Sequence, residues 1–222
     1  MGERPVILES LQEKVQRGRV ALLLIDMVND FVSPDGKTAV IAKRPIGHAR
    51  SVIPTQQTLL AAARAAGIAV IHVQHTTLRN HDSDSGPWLD ARSRATYSVE
   101  DICLESTWGQ EIIPELLPQE NERVVQKYRY SGFAGTNLDL ILRTHRVQTV
   151  ICCGVSTNAC VESTARDAFS LDYYVVIPHD ACASWDRSLH EATIQSARAR
   201  YATVCTSEDI IQAWGGDSGH QE

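Results

Sequence analysis

A chain of 222 residues, 43% hydrophobic and 22% charged, has enough apolar side chain to fill one α/β domain and too ordinary a composition for disorder. Its net charge of -6 includes no basic cluster able to track phosphates, which argues against a nucleic-acid partner. No apolar run approaches the roughly 20 residues that span a bilayer, and the opening MGERPVILES has no apolar signal segment, so no membrane partner and a cytoplasmic location are expected.

The chain reads as a single domain over 1–222, with an arm at 1–18 and a polar, Gly-rich tail at 215–222 that should fray. After a short helix at 8–16, the run VALLLIDM at 20–27 is almost unbroken in apolar residues, as a parallel strand covered on both faces requires. It ends in Asp26, a carboxylate where burial is costly unless the group is paired or works in a cleft. A loop at 28–45 carries turn chemistry at Ser33-Pro34-Asp35-Gly36; a helix at 49–65 follows, stopped by Gly67, then a second buried strand at 68–74. His72 and His75, three apart on a strand, face opposite sides of the sheet, which weighs against a shared metal. The segment 76–107, with His81, Asp82, Asp84, Trp88, Arg92 and Arg94, looks irregular and is the expected substrate-facing flap.

A helical piece at 110–116, interrupted by Pro114, leads to a strand at 123–127 that closes on Lys127, and a helix at 138–145 follows. The β-branched run 147–153 then turns through Gly154-Val155-Ser156-Thr157 into a helical pattern at 158–169. Cys160 falls in that helix's first turn, where the dipole and unpaired N–H groups favour thiolate. A strand at 172–178, a helix at 188–200, a strand at 202–206 and a helix at 208–214 complete an α/β chain with a parallel sheet of about six strands. The other five cysteines (103, 152, 153, 182 and 205) follow no metal-like spacing and read as reduced packing residues.

Asp26, Lys127 and Cys160 therefore stand at the carboxyl ends of three strands, the edge where open α/β sheets bind ligands. A lysine about 4 Å from the sulfur would be worth on the order of 4 kcal/mol to the thiolate at an effective dielectric near 20, before desolvation losses. Against that the helix dipole offers about 1 kcal/mol, so the lysine would be the main activator and Asp26 the proton carrier. Neither His179 nor His190 has a motif that supports a Cys/His pair, and no Gly-rich phosphate loop is completed around Gly154.

LLLIDMVNDF around Asp26, VVQKYRYSGF around Lys127 and GVSTNACVESTARDAF around Cys160 together resemble the isochorismatase-like cysteine hydrolases. The resemblance implies a three-layer α/β/α sandwich, a triad of Asp26, Lys127 and Cys160, a cis peptide at Val155-Ser156, and an oxyanion hole of the Ser156 and Cys160 N–H groups. It also implies a small-molecule substrate, no cofactor or metal, and a homo-oligomer. KYRYSGF and CVESTARDAFSLDYYVV are similar to the branch that hydrolyses ureides such as ureidoacrylate and biuret. A nicotinamidase-like amidase is the alternative, but Gln74-His75 stands where that branch carries an Asp-x-His motif; a non-catalytic binding or scaffold member of the fold is the other. Phe31, Trp88, Trp108, Tyr130 and Val155 are the expected pocket walls, and Asp82 and Asp84 in the flap would suit a cationic ureide such as guanylurea.

Overall fold

A computed structural model describes residues 4–94 and 99–215; the polar tail beyond 215 lies outside the described residues. Strands β1 (Val20–Ile25), β2 (Ala69–His75), β3 (Arg123–Lys127), β4 (Thr149–Val155), β5 (Tyr174–Pro178), β6 (Cys182–Ala183) and β7 (Thr203–Cys205) form one sheet, every pairing parallel. The order is β3-β2-β1-β4-β5-β7, with β6 adding to the end of β4. Helices flank the sheet, so the two central strands are covered on both faces. All six residues of β1 and all seven of β4 are buried, which is why both read as continuous apolar runs.

That order places a topological switch point between β1 and β4. The chain leaves β1 toward β2 and β3 on one side, then returns to β4 on the other. Loops from the two neighbours diverge at their carboxyl ends, and the crevice between them is where such sheets hold ligands. Asp26 follows β1 and Cys160 follows β4, so the sheet order itself brings them together.

Several boundaries differ from the sequence reading for identifiable reasons. The helix expected at 49–65 is two pieces, Gly47–Ser51 and Ile53–Ala65, because Pro54 opens a new first turn. The flap expected to be irregular contains the helix Gly86–Arg94, which has Pro87 just inside its start, the position where proline seeds a helix. The piece at 110–116 resolves into 3₁₀ turns at Trp108–Gln110 and Pro114–Leu116. The short strand β6 was not expected. The chain leaves β5 at Pro178, takes a 3₁₀ turn at His179–Ala181 and rejoins β4 further along, too briefly for any periodicity to announce it.

Candidate active site

β1 ends at Ile25, and Asp26 turns into the left-handed region at φ 58°, which a short polar side chain tolerates. Its N–H donates to the Val73 carbonyl at 2.8 Å, and its Oδ1 accepts the His75 N–H at 2.8 Å. Both partners belong to β2, so the carboxylate is fixed by backbone. β4 runs two residues further than its composition suggested and ends at Val155, where the Val155-Ser156 peptide is cis. Gly154 lets β4 approach the end of β1 closely. At φ 125°, a Cβ there would lie 2.0 Å from the Ile25 carbonyl oxygen, so no other residue lets β4 pass this close to the turn at Asp26.

Cys160 does not open an α-helix as expected. It sits within a single π turn, Thr157–Val161, and the α-helix begins only at Glu162. π turns of this kind re-aim a side chain out of the regular helical ladder, and they concentrate at functional sites. Here the turn leaves Cys160 only 7% exposed, facing Lys127.

Lys127 is fully buried at the end of β3 and joins the three groups. Its Nζ lies 2.8 Å from Asp26 Oδ2, donates to Cys160 Sγ at 3.3 Å, and donates to the Arg129 carbonyl at 3.0 Å. The contact with Oδ2 is an ion pair without the alignment of a hydrogen bond, so Oδ2 remains a buried acceptor lacking a well-directed donor. Burial pushes the Asp26 carboxyl above the usual carboxylate range, and the Lys127 charge offsets this only in part. For Lys127 burial opposes the charge, but the Asp26 carboxylate outweighs it and holds the amine cationic.

The thiol departs from expectation. Burial, reinforced by the Asp26 charge and only partly countered by Lys127, pushes Cys160 up to about 12. The lysine and turn dipole were expected to favour the thiolate; burial opposes them and favours the neutral thiol. The arrangement is one in which the sulfur loses its proton as it reacts, to a carboxylate already raised toward basicity.

A chain of rings stands beside this triad. Phe31 stacks on His75 with centroids 5.8 Å apart, Trp185 meets Phe31 edge-on at 5.9 Å, His75 lies 6.0 Å from Trp88, and Trp88 meets Tyr130 at 4.9 Å. Phe31, Trp88 and Tyr130, three of the expected wall residues, thus stand in one row, through a histidine whose N–H holds Asp26. His75, held neutral by burial well below its usual pKa, is a wall ring here. Arg129 fastens the flap to this row. Its Nη1 donates to the carbonyls of Ser83 (2.8 Å) and Tyr128 (2.6 Å), and its guanidinium lies 5.2 Å from the Trp88 ring centroid.

Val155 is fully buried at the end of β4. Trp108, by contrast, is 47% exposed and joins its surroundings through its carbonyl, which accepts from Asn29 Nδ2 at 2.8 Å. Asp82 is exposed, and Asp84 pairs through Oδ2 with His81 at 3.0 Å. The sequence reading overlooked Trp185, which follows the unannounced β6, and Asp30. That carboxylate, 2% exposed, accepts from the N–H groups of Lys37 and Cys103 and so ties the loop after β1 to the flap. Gly109 leaves room for it: a Cβ there would come within 2.3 Å of Asp30 Oδ2.

This fold and this edge define a hydrolase of the isochorismatase class, and comparison with known proteins agrees. The Isochorismatase domain model matches residues 20–209, and the chain belongs to that family. It is 32% identical over 200 residues to the ureidoacrylate amidohydrolase RutB of Agrobacterium fabrum, covering 86% of this chain and 87% of the relative. Among solved structures it resembles a cysteine hydrolase from Pseudomonas syringae pv. phaseolicola, with a TM-score of 0.81 at 26% identity over 97% of this chain and 99% of that one. The N-carbamoylsarcosine amidase of Thermoplasma acidophilum gives 0.67 at 27% identity, covering 86% and 97%.

Proposed function

We propose that the protein is a cysteine-dependent amidohydrolase that cleaves a terminal C–N bond of a small ureide and releases ammonia. Family membership and the ureidoacrylate amidohydrolase relatives make it a hydrolase of C–N amide bonds. The observation that carries the finer reading is the fully buried Lys127 amine, held between the Asp26 carboxylate and the Cys160 sulfur. A structural ion pair has no use for a thiol at its third corner.

In this scheme Asp26 Oδ2 takes the thiol proton as sulfur attacks the carbonyl carbon. The C=O electron pair moves to oxygen, where the N–H groups of Ser156 and Cys160 would receive it. Asp26 then passes its proton to the leaving nitrogen, the C–N bond breaks and ammonia departs, leaving an acyl thioester on Cys160. A water molecule gives its proton to Asp26 and attacks the thioester; the returned proton restores the thiol. Lys127 stays cationic throughout and offsets the negative charge that passes between sulfur and carboxylate. The ring row suits a flat substrate, as ureides are, since planar amides stack on aromatic faces.

The test is a rapid-quench mass spectrum after mixing with ureidoacrylate, biuret, guanylurea, an N-carbamoyl amino acid and nicotinamide in turn. The reading requires an acyl adduct on the peptide containing Cys160 with a ureide. An adduct with nicotinamide alone would move the assignment to a carboxamide branch, and turnover with no adduct would contradict the thioester.

A further inference from the structure

Around the nucleophile turn lies a polar cluster that the proposed chemistry does not use. Thr157, the first residue of the π turn, is fully buried, and its Oγ1 lies 2.8 Å from Nδ1 of His190. His190 belongs to the helix Arg187–Arg200 and is half-buried. The next residue of the turn, Asn158, accepts the Ser184 hydroxyl at 2.7 Å through Oδ1. The Ser184 carbonyl is in turn 2.8 Å from Nδ1 of His48, whose ring meets that of His190 edge-on at 5.4 Å. The turn that aims Cys160 is thus gripped by two histidines, one through a side-chain bond and one through Ser184.

The chemistry of these contacts fixes the protons. A carbonyl only accepts, so Nδ1 of His48 must carry hydrogen. A buried hydroxyl that has no acceptor for its hydrogen is costly, and Nδ1 of His190 is the partner the structure offers to Thr157. This bond therefore runs from the Thr157 hydroxyl to a neutral imidazole. Protonation of His190 would turn Nδ1 from acceptor to donor and orphan the Thr157 hydrogen at the base of the turn.

We propose that His190 is a positioning residue for Cys160, which in its neutral form accepts from Thr157 and so holds the π turn with the sulfur against Lys127. The proposal rests on Cys160 being the nucleophile. The surroundings favour neutrality: burial comes first, and His48, His179 and Arg187 oppose a positive charge at His190, while Glu191 favours one. The sign follows. The grip is present above the depressed pKa of His190 and is lost as the pH falls through it.

The experiment compares His190→Ala, His190→Asn and Thr157→Val with wild type in two measurements, after thermal melts confirm folding. The first is the rate at which iodoacetamide alkylates Cys160, read by peptide mass; it needs no substrate and tests geometry alone. The second is kcat and KM for ammonia release across pH. Alanine and valine variants should change the Cys160 alkylation rate at least threefold and lower kcat about tenfold, with KM moving less than twofold. Asparagine, whose Oδ1 can accept from Thr157 and does not titrate, should restore most of kcat and remove one inflection from the acid limb. Alkylation and kcat unchanged in His190→Ala would overturn the proposal. So would an asparagine variant that behaves like alanine. Full turnover in Cys160→Ser would instead refute the nucleophile assignment, independently of His190.

Discussion

A carboxylate cluster stands at each end of the β2/β3 pair, one around Glu122 just before β3 and one around Asp26 just after β1, and the two are built to opposite plans. At the amino end of β3, Glu122 accepts from Arg64 Nε (2.7 Å) and Nη2 (2.9 Å), from the Gln119 N–H (2.9 Å) and from His72 Nε2 (3.0 Å). Burial opposes its charge, but the Arg64 hydrogen bonds and their companions overcome this and bring the carboxyl down to about 2. At the carboxyl end, burial pushes Asp26 up, and the Lys127 charge and the His75 N–H offset this only in part. The same carboxylate chemistry is held down by its donors in one place and pushed up by burial in the other. Its donors make Glu122 a fixture of the fold; burial leaves Asp26 able to exchange a proton.

The largest effect that would break this contrast is at the sulfur. Cys160→Ala should lower amide turnover by at least about 10⁴-fold while leaving the melting temperature nearly unchanged; activity within tenfold of wild type would remove the catalytic role from this end of the sheet. Asp26→Asn should cost about 10²–10⁴-fold in kcat, the usual range for a lost acid–base group, since the amide cannot carry the thiol proton. In wild type the acid limb of kcat/KM should lie above the ordinary carboxylate value, with activity lost as the pH falls through the raised pKa of Asp26; a limb below pH 4 would contradict the raised pKa.

At the other end the consequences fall on stability. Glu122→Gln should cost about 2 kcal/mol in urea unfolding with kcat unchanged. The sign is worked out from the depressed carboxyl: its contribution is present above the unfolded value of 4.5 and is lost as pH falls toward about 2. The difference between wild type and variant should therefore be flat above pH 5 and shrink below it. A smaller effect sharpens the picture of the wall. Trp88→Ala should raise KM about tenfold, whereas Trp108→Ala, at a half-exposed site, should move it less than twofold.

How much of this could be read from the chain depends on what kind of force places each residue. β1 was legible because a strand covered on both faces must be apolar throughout, and Val20–Ile25 is. Asp26 was legible because it interrupts such a pattern at a strand end; Lys127, which closes the polar strand RVVQK, was legible only in company with Asp26 and Cys160. The state of Cys160 was not, since the sequence names the lysine and the helix but not the depth of burial that outweighs them. Trp185 was hidden behind a two-residue strand, and His75 acts on Asp26 through its backbone N–H, which every residue but proline possesses. The helix Gly86–Arg94 did leave a signal in Pro87, overridden by the polar composition around it.

The most direct measurement is ammonia release from a ureide panel by wild type, Cys160→Ser and Glu122→Gln at one neutral pH, with each protein's folding confirmed beforehand. The account predicts release by wild type and Glu122→Gln at equal rates and none by Cys160→Ser. Undiminished release by Cys160→Ser, or its loss in a folded Glu122→Gln, would contradict the division between a reactive and a structural end of the sheet.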